Sequence, residues 1–140
     1  MNQQLACVFP GQGSQKIGML AELADRHPEL LDTFSEASAQ LGYDLWHLCQ
    51  QGDPAEINLT ERTQPLLLTA SVAVWRLWQR QGGAVPAVMA GHSLGEWSAL
   101  VCAGVVAFTD AVELVRRRGA YMQAAVPAGT GAMAAVMGLD

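Results

Sequence analysis

The chain has 140 residues, of which 51% are hydrophobic and 15% charged, a balance that suits a packed core rather than disorder and a length that predicts one domain or part of one. A net charge of −5 argues against binding a phosphate backbone, and apolar runs such as Ala99 to Phe108 are too short to span a bilayer. The opening MNQQLACVFPGQG has neither a basic nor a long apolar region, so no signal peptide is expected, and the scattered Cys7, Cys49 and Cys102 form neither a zinc pattern nor an even disulfide set, which makes the cytoplasm the expected location.

LACVF, Leu5 to Phe9, is a continuous apolar run closed by Pro-Gly, and it predicts a strand buried on both faces as in a parallel sheet. PGQGSQ reads as a turn. From Lys16 to Leu41 the spacing is helical with a break at His27-Pro28, where a second helix is expected to begin, and Gly42 is its predicted stop. DLWHLCQQGDPAEINL reads as short helical pieces and loops. Thr63 to Gln81 is the clearest helix: Leu66, Ala70, Ala73 and Leu77, and Leu67, Val74 and Trp78 beside them, make a wide apolar face. Pro65 fits its first turn and Gly82-Gly83 its end. AVMAG, Ala87 to Gly91, predicts a second buried strand, followed by a helix through Cys102 that Gly104 ends. Thr109 is the expected N-cap of a helix to about Ala124, and GAMAAVMGLD reads as a third strand. Cys7 and Cys102, inside apolar runs, are expected to be buried. The order of elements predicts an α/β fold with a partial parallel sheet flanked by helices.

At the end of the second strand stands GHSLGE, which contains the G-x-S-x-G spacing of a serine nucleophile on a tight strand-to-helix turn. Gly91 and Gly95 let the chain turn sharply and another backbone come close. The helix N-terminus after Ser93 offers free N–H groups, with Leu94 aimed where an acyl oxyanion would form. Ser93 as a plain helix N-cap is the competing reading, although it does not explain both glycines. The PGQGSQ loop is a candidate for a second oxyanion donor or an ordinary turn. It lacks P-loop spacing, and Lys16 occupies the last position of a G-x-G-x-x-G fingerprint.

A serine needs a base. His92 adjoins Ser93, but successive residues at a strand end point to opposite sides, so His92 is expected to pack beside the turn or shape the pocket. His27 is expected to be exposed and His47 partly packed. On the helix after Thr109, wound at about 100° per residue, Ala111, Val112, Leu114, Val115, Gly119, Tyr121 and Met122 gather on one side, and Glu113, Arg116, Arg117 and Gln123 on the other. Arg118 falls on the apolar side between Leu114 and Met122. A guanidinium there requires a partner, either an internal acid such as Glu96 or a ligand carboxylate held by two parallel hydrogen bonds.

Together FPGQGSQ (Phe9 to Gln15), TQP (Thr63 to Pro65), GHSLGE (Gly91 to Glu96), RRG ending at Arg118-Gly119, and GTGAMAAVMGLD resemble, in order, the malonyl-CoA:acyl carrier protein transacylase family. The resemblance implies that malonyl passes from coenzyme A to Ser93 and then to the phosphopantetheine thiol of acyl carrier protein, in fatty acid biosynthesis. Coenzyme A thioester is then substrate, with no covalently bound cofactor, no metal, and no nucleic acid or membrane partner. It gives the backbone N–H groups of Gln12 and Leu94 the oxyanion role, Arg118 the malonyl carboxylate, and Gln64 a place near the pocket. Trp97 stands where the family often has tyrosine. The family's chains are longer, and its catalytic histidine matches nothing in this sequence. Residues 1–127 are therefore expected to be the N-terminal part of a large α/β subdomain. Residues 128–140 are expected to open a small ferredoxin-like subdomain, and another chain or segment to cover the exposed core. Competing expectations are a serine hydrolase, an acyltransferase of a polyketide synthase or malonate decarboxylase, and an inactive fragment or carrier-protein docking piece.

Overall fold

The two apolar runs pair as parallel strands. The computed structural model describes residues 2–127, 129–131, 136 and 138. In chain order the elements are β1 (Asn2–Phe9), α1 (Ala21–Arg26), α2 (Leu30–Leu41), α3 (Leu45–Gln51), α4 (Pro54–Ile57), α5 (Thr60–Arg80), β2 (Pro86–Gly91), α6 (Leu94–Cys102) and α7 (Phe108–Ala125). After an irregularity between Asn2 and Ala6, the strands run in register from Ala6–Val88 to Phe9–Gly91. Both therefore end level. The loop after β1 and the turn after β2 lie side by side at the carboxyl edge of the sheet, where open α/β sheets hold their ligands. The third strand expected within GAMAAVMGLD lies for the most part outside the described residues.

α5 is the centre of the fold. It packs against α2, α6 and α7, so Leu66, Leu67, Leu68, Val72, Ala73 and Leu77 are all buried. The helix starts at Thr60, three residues before the expected Thr63, which leaves Pro65 inside it. Burial on several sides outweighs the one ladder hydrogen bond that proline removes. Because of that burial, Gln64 and Thr69 are also 0% exposed. Val74 and Trp78, expected on the apolar face, are 41% and 43% exposed, on the side facing the outer edge of β1.

Four expectations change. The strands are covered on one face only among the described residues: Leu5, Cys7 and Phe9 turn inward, while Val8 and Val88 on the opposite face are 77% and 57% exposed. A continuous apolar run does not tell which faces its own chain covers. Cys7 and Cys102 are accordingly half-buried, and Cys49 is the buried thiol. Burial nonetheless pushes the Cys49 and Cys102 thiols up to about 11 and about 12. α1 begins at Ala21 instead of Lys16, behind a string of turns. The N-cap of α7 is Ala107, and Thr109 sits inside the first turn with no capping bond. Gly42 does end α2, in the left-handed conformation (φ 78°).

Candidate active site

β2 delivers the chain to Ser93, which starts α6 with φ 55° and ψ −113°. Such a pair lies outside the left-handed helical basin, and it costs about 1–3 kcal/mol that the surroundings must impose. Gly91 and Gly95 make the turn possible. A Cβ on Gly91 would stand 2.1 Å from the Gly95 carbonyl carbon, and one on Gly95 would stand 2.3 Å from the Phe9 carbonyl oxygen. Backbone thus lies on backbone, and the turn is wedged against the end of β1. The Ser93 hydroxyl caps nothing. It accepts a hydrogen bond from Arg118 Nη2 at 2.9 Å, which disposes of the N-cap reading.

The Pro10–Gln15 loop sits against the same turn, since a Cβ on Gly11 would lie 3.2 Å from the His92 carbonyl oxygen. Side chains tie it down. Gln12 Nε2 donates to Thr60 Oγ1 (3.3 Å), Gln15 Nε2 donates to Asn58 Oδ1 (2.8 Å), and Gln15 Oε1 accepts from the Gly13 N–H (2.8 Å). Ser14 Oγ donates to the Gly11 carbonyl at 2.7 Å. The backbone N–H groups of Gln12 and Leu94 have no hydrogen-bond partner among the described residues, so both remain able to donate to a ligand.

Arg118 comes to Ser93 because α7 lies close against α5. Gly119 is the contact point: a Cβ there would be 2.5 Å from the Thr60 carbonyl oxygen. One residue earlier on α7, Arg118 meets Gln64, whose Oε1 accepts from Arg118 Nη1 at 2.8 Å. Glu96 is exposed on α6, and among the described residues no carboxylate pairs with Arg118. Its two neighbours differ. Arg116 Nε and Arg117 Nε both reach Glu113, at 2.8 and 2.7 Å, and these bonds hold the Glu113 carboxyl down at about 2. Of three consecutive arginines, two pair with one glutamate, and the third meets only an amide oxygen and a hydroxyl among the described residues. The helix-wheel placement needs one correction: Leu114, Tyr121 and Met122 are 44%, 73% and 40% exposed. Arg118 thus stands at the border of the buried stripe and not inside it, because the side of α7 that carries Leu114, Met122 and Ser93's partner is open.

His92 is exposed, and its ring has no hydrogen-bond partner among the described residues. It lies beside the serine in sequence and does not engage it. His27 is half-buried at the end of α1, 3.6 Å from Glu29, and His47 is exposed on α3 instead of partly packed. Arg118 itself cannot accept a proton. Among the described residues the site therefore combines a strained serine, two free backbone donors and a guanidinium, without a base in contact. Nothing in the sequence points to the tie points Thr60 and Asn58, and Met122 shows there only as an apolar neighbour of Arg118. Each has a partner 43 to 58 positions away, and no local pattern marks that pairing.

Residues 6–139 match the family model described as an acyl transferase domain. The malonyl CoA-acyl carrier protein transacylase of Salmonella typhimurium is 67% identical over 98% of this chain, and that match covers 44% of the relative. Among solved structures, the malonyl-CoA:acyl carrier protein transacylase of Xanthomonas oryzae superposes with a TM-score of 0.89 at 59% identity, over 91% of this chain and 41% of that one. A malonyl-transacylase in complex with a type II PKS acyl-carrier protein superposes with a TM-score of 0.85 at 63% identity, over 87% and 40%. The chain thus spans less than half the length of the relatives it matches.

Proposed function

Because this chain belongs to the acyl transferase domain family, we propose that it is the nucleophile-bearing part of a malonyl-CoA:acyl carrier protein transacylase of fatty acid biosynthesis, acting in the cytoplasm. The observation that carries this reading is the 2.9 Å contact between Ser93 Oγ and an arginine that no carboxylate neutralises among the described residues. A nucleophile and an anion-binding group share one spot, which suits an acyl group with a carboxylate at its far end.

In this reading Ser93 Oγ attacks the thioester carbonyl of malonyl-CoA. The oxyanion is held by the backbone N–H groups of Gln12 and Leu94, a contribution worth about 10²–10³ in rate per donor. Coenzyme A leaves as the thiol, taking the proton that the serine gave up, and malonyl remains as an ester on Ser93. Arg118 holds its carboxylate by paired hydrogen bonds. The phosphopantetheine thiol of acyl carrier protein then attacks the ester and restores the serine. The base that carries the proton in both steps is a histidine outside residues 1–140. Residues 1–127 belong to the large subdomain and 128–140 open the small one. The exposed face around Val8 and Val88 is the surface against which further chain packs. Gln64 supports Arg118, and His92 borders the pocket.

The test is to incubate the gene product carrying residues 1–140, expressed in full, with labelled malonyl-CoA and acyl carrier protein. A malonyl adduct that is absent in Ser93→Ala and discharges onto acyl carrier protein is expected. Free malonate as the main product would instead make the protein a hydrolase.

A further inference from the structure

We propose that Gln64 is a specificity-determining positioning residue: its amide oxygen fixes the Arg118 guanidinium without cancelling its charge, and so reserves that charge for an acyl carboxylate. The proposal rests on the function proposed above and extends it to the residue behind the clamp.

Gln64 is 0% exposed on α5, and a buried primary amide is tolerated only when its polar atoms are partnered. Both ends are partnered by a single stretch of α7. Oε1 accepts from Arg118 Nη1 at 2.8 Å, and Nε2 donates to Met122 Sδ at 3.2 Å. Chemistry fixes this orientation, because a guanidinium only donates and a thioether only accepts. Arg118 and Met122 are four residues apart, one above the other on the helix surface. One amide therefore spans one turn of α7 and sets where Nη2 points, which is at Ser93 Oγ.

The choice of an amide is informative. An arginine packed against a helix is ordinarily satisfied by a carboxylate, and α7 shows that pairing nearby at its half-exposed and exposed positions, where Glu113 binds Arg116 and Arg117. A glutamate in place of Gln64 would have the same shape and reach, and it would give Arg118 an internal counter-ion. The site would then be neutral. An incoming acyl carboxylate would have to displace that counter-ion or sit beside it as a like charge. A neutral acyl group would meet no such barrier. Gln64 thus separates two functions that one carboxylate would merge: holding the guanidinium still and leaving it positive.

The experiment compares malonyl-CoA with acetyl-CoA as donors to Ser93, by intact mass in single turnovers of the full gene product. Wild type, Gln64→Glu, Gln64→Leu and Arg118→Ala are measured, with thermal unfolding recorded for each. The expected result is that Q64E lowers the malonyl-to-acetyl rate ratio at least 100-fold. Q64L, which removes the acceptor and adds no charge, lowers it less than 10-fold. In an Arg118→Ala background Q64E has no further effect on the ratio. Equal ratios in Q64E and Q64L, or a Q64E ratio within threefold of wild type, would overturn the proposal and reduce Gln64 to packing. If Q64E does not fold, the Q64L ratio decides: a fall of 10-fold or more overturns the proposal, and a smaller one upholds it. Absence of any malonyl adduct in the wild type overturns the underlying function instead, so the two failures are distinct.

Discussion

Gly95→Ala tests whether the close approach of two backbones builds the site. The added Cβ would lie 2.3 Å from the Phe9 carbonyl oxygen, 3.1 Å from the carbonyl carbon and 3.2 Å from the Pro10 carbonyl oxygen. All three are main-chain atoms, so no side chain can swing away. Restoring an ordinary contact of about 3.5 Å requires the start of α6 and the end of β1 to part by roughly 1 Å. Overpacking of this kind costs about 1–3 kcal/mol. The same shift separates the donors on either side of the gap, Gln12 N–H and Leu94 N–H. A misplacement of about 1 Å is worth on the order of 100-fold in rate. Urea unfolding and the rate of Ser93 acylation by malonyl-CoA, both on the full gene product, report the two effects. Gly104→Ala is the control. That glycine, unlike Gly95, has a positive φ, 76°, and nothing within 4 Å, so the substitution should cost about 1–2 kcal/mol of stability and leave acylation unchanged. Wild-type acylation in Gly95→Ala, or an equal loss in Gly104→Ala, would refute the reasoning.

Arg118→Ala should lower malonyl transfer roughly 10²–10³-fold, in line with removing one partner of a buried charge pair, and acetyl transfer far less; equal losses measured with the two donors would remove the clamp. Asn58→Ala breaks the 2.8 Å bonds to Gln15 Nε2 and to the Pro54 carbonyl. It should loosen the oxyanion loop and lower kcat about threefold to tenfold at unchanged KM, for a loss of about 0.5–1.5 kcal/mol in positioning, and a change confined to KM would contradict this. Glu113, held down at about 2 against an ordinary 4.5, contributes stability that is fully present above pH 4.5 and fades as the pH falls toward 2. Glu113→Gln should therefore be destabilising at pH 6, by under about 1 kcal/mol for so solvated a pair, and nearly neutral at pH 2.5. A difference in urea midpoints that stays constant across that window would be inconsistent with the two ion pairs. Cys49 and Cys102, raised to about 11 and about 12, should alkylate with iodoacetamide at pH 8 about 100-fold and about 1000-fold more slowly than a free thiol, as peptide mapping would show.

The sequence was most legible where one residue's chemistry is enforced by its immediate neighbours. β2 is legible to within one residue, Ala87 expected against Pro86 found, and the end of α6 at Cys102 to the residue, because Gly91 and Gly95 shape the turn between them and Gly104 marks the stop. Arg118 was readable as an anomaly, since periodicity exposes a charge among apolar positions. Its partner was not, because Gln64 lies 54 positions away and glutamine within an apolar helix resembles any tolerated polar residue. The start of α5 was misjudged because Pro65 is a strong local signal for a first turn, whereas tertiary burial decides. Strand burial was misjudged for the same reason in reverse. Apolar composition records what a strand is suited to, and Val8 and Val88 are suited to a cover that the described residues do not supply.

What remains is why α5, which carries neither the nucleophile nor the clamp, is the most buried helix of the site. Its first two turns meet the loop after β1 and the α7 segment that carries Arg118. Thr60 Oγ1 receives Gln12 of the oxyanion loop, and the Thr60 carbonyl is the surface on which Gly119 brings α7 down. One turn on, Gln64 receives Arg118. Loop, clamp and serine come from three distant segments, and their relative positions must hold to within about 0.5 Å for acyl transfer. A helix fixed on several sides by Leu66, Leu68 and Val72 supplies such a reference, whereas direct contacts between mobile loops would not. Ser93 in turn is held by β2 and by Gly95 against the end of β1, while α6 behind it packs on α5, so the sheet and α5 together fix the turn. The 2.9 Å bond from Arg118 to Ser93 adds a second link, from α7. A guanidinium carries five N–H donors, and Gln64 and Ser93 use two of them, so in the proposed function Arg118 can receive an acyl carboxylate while it stays held against the serine.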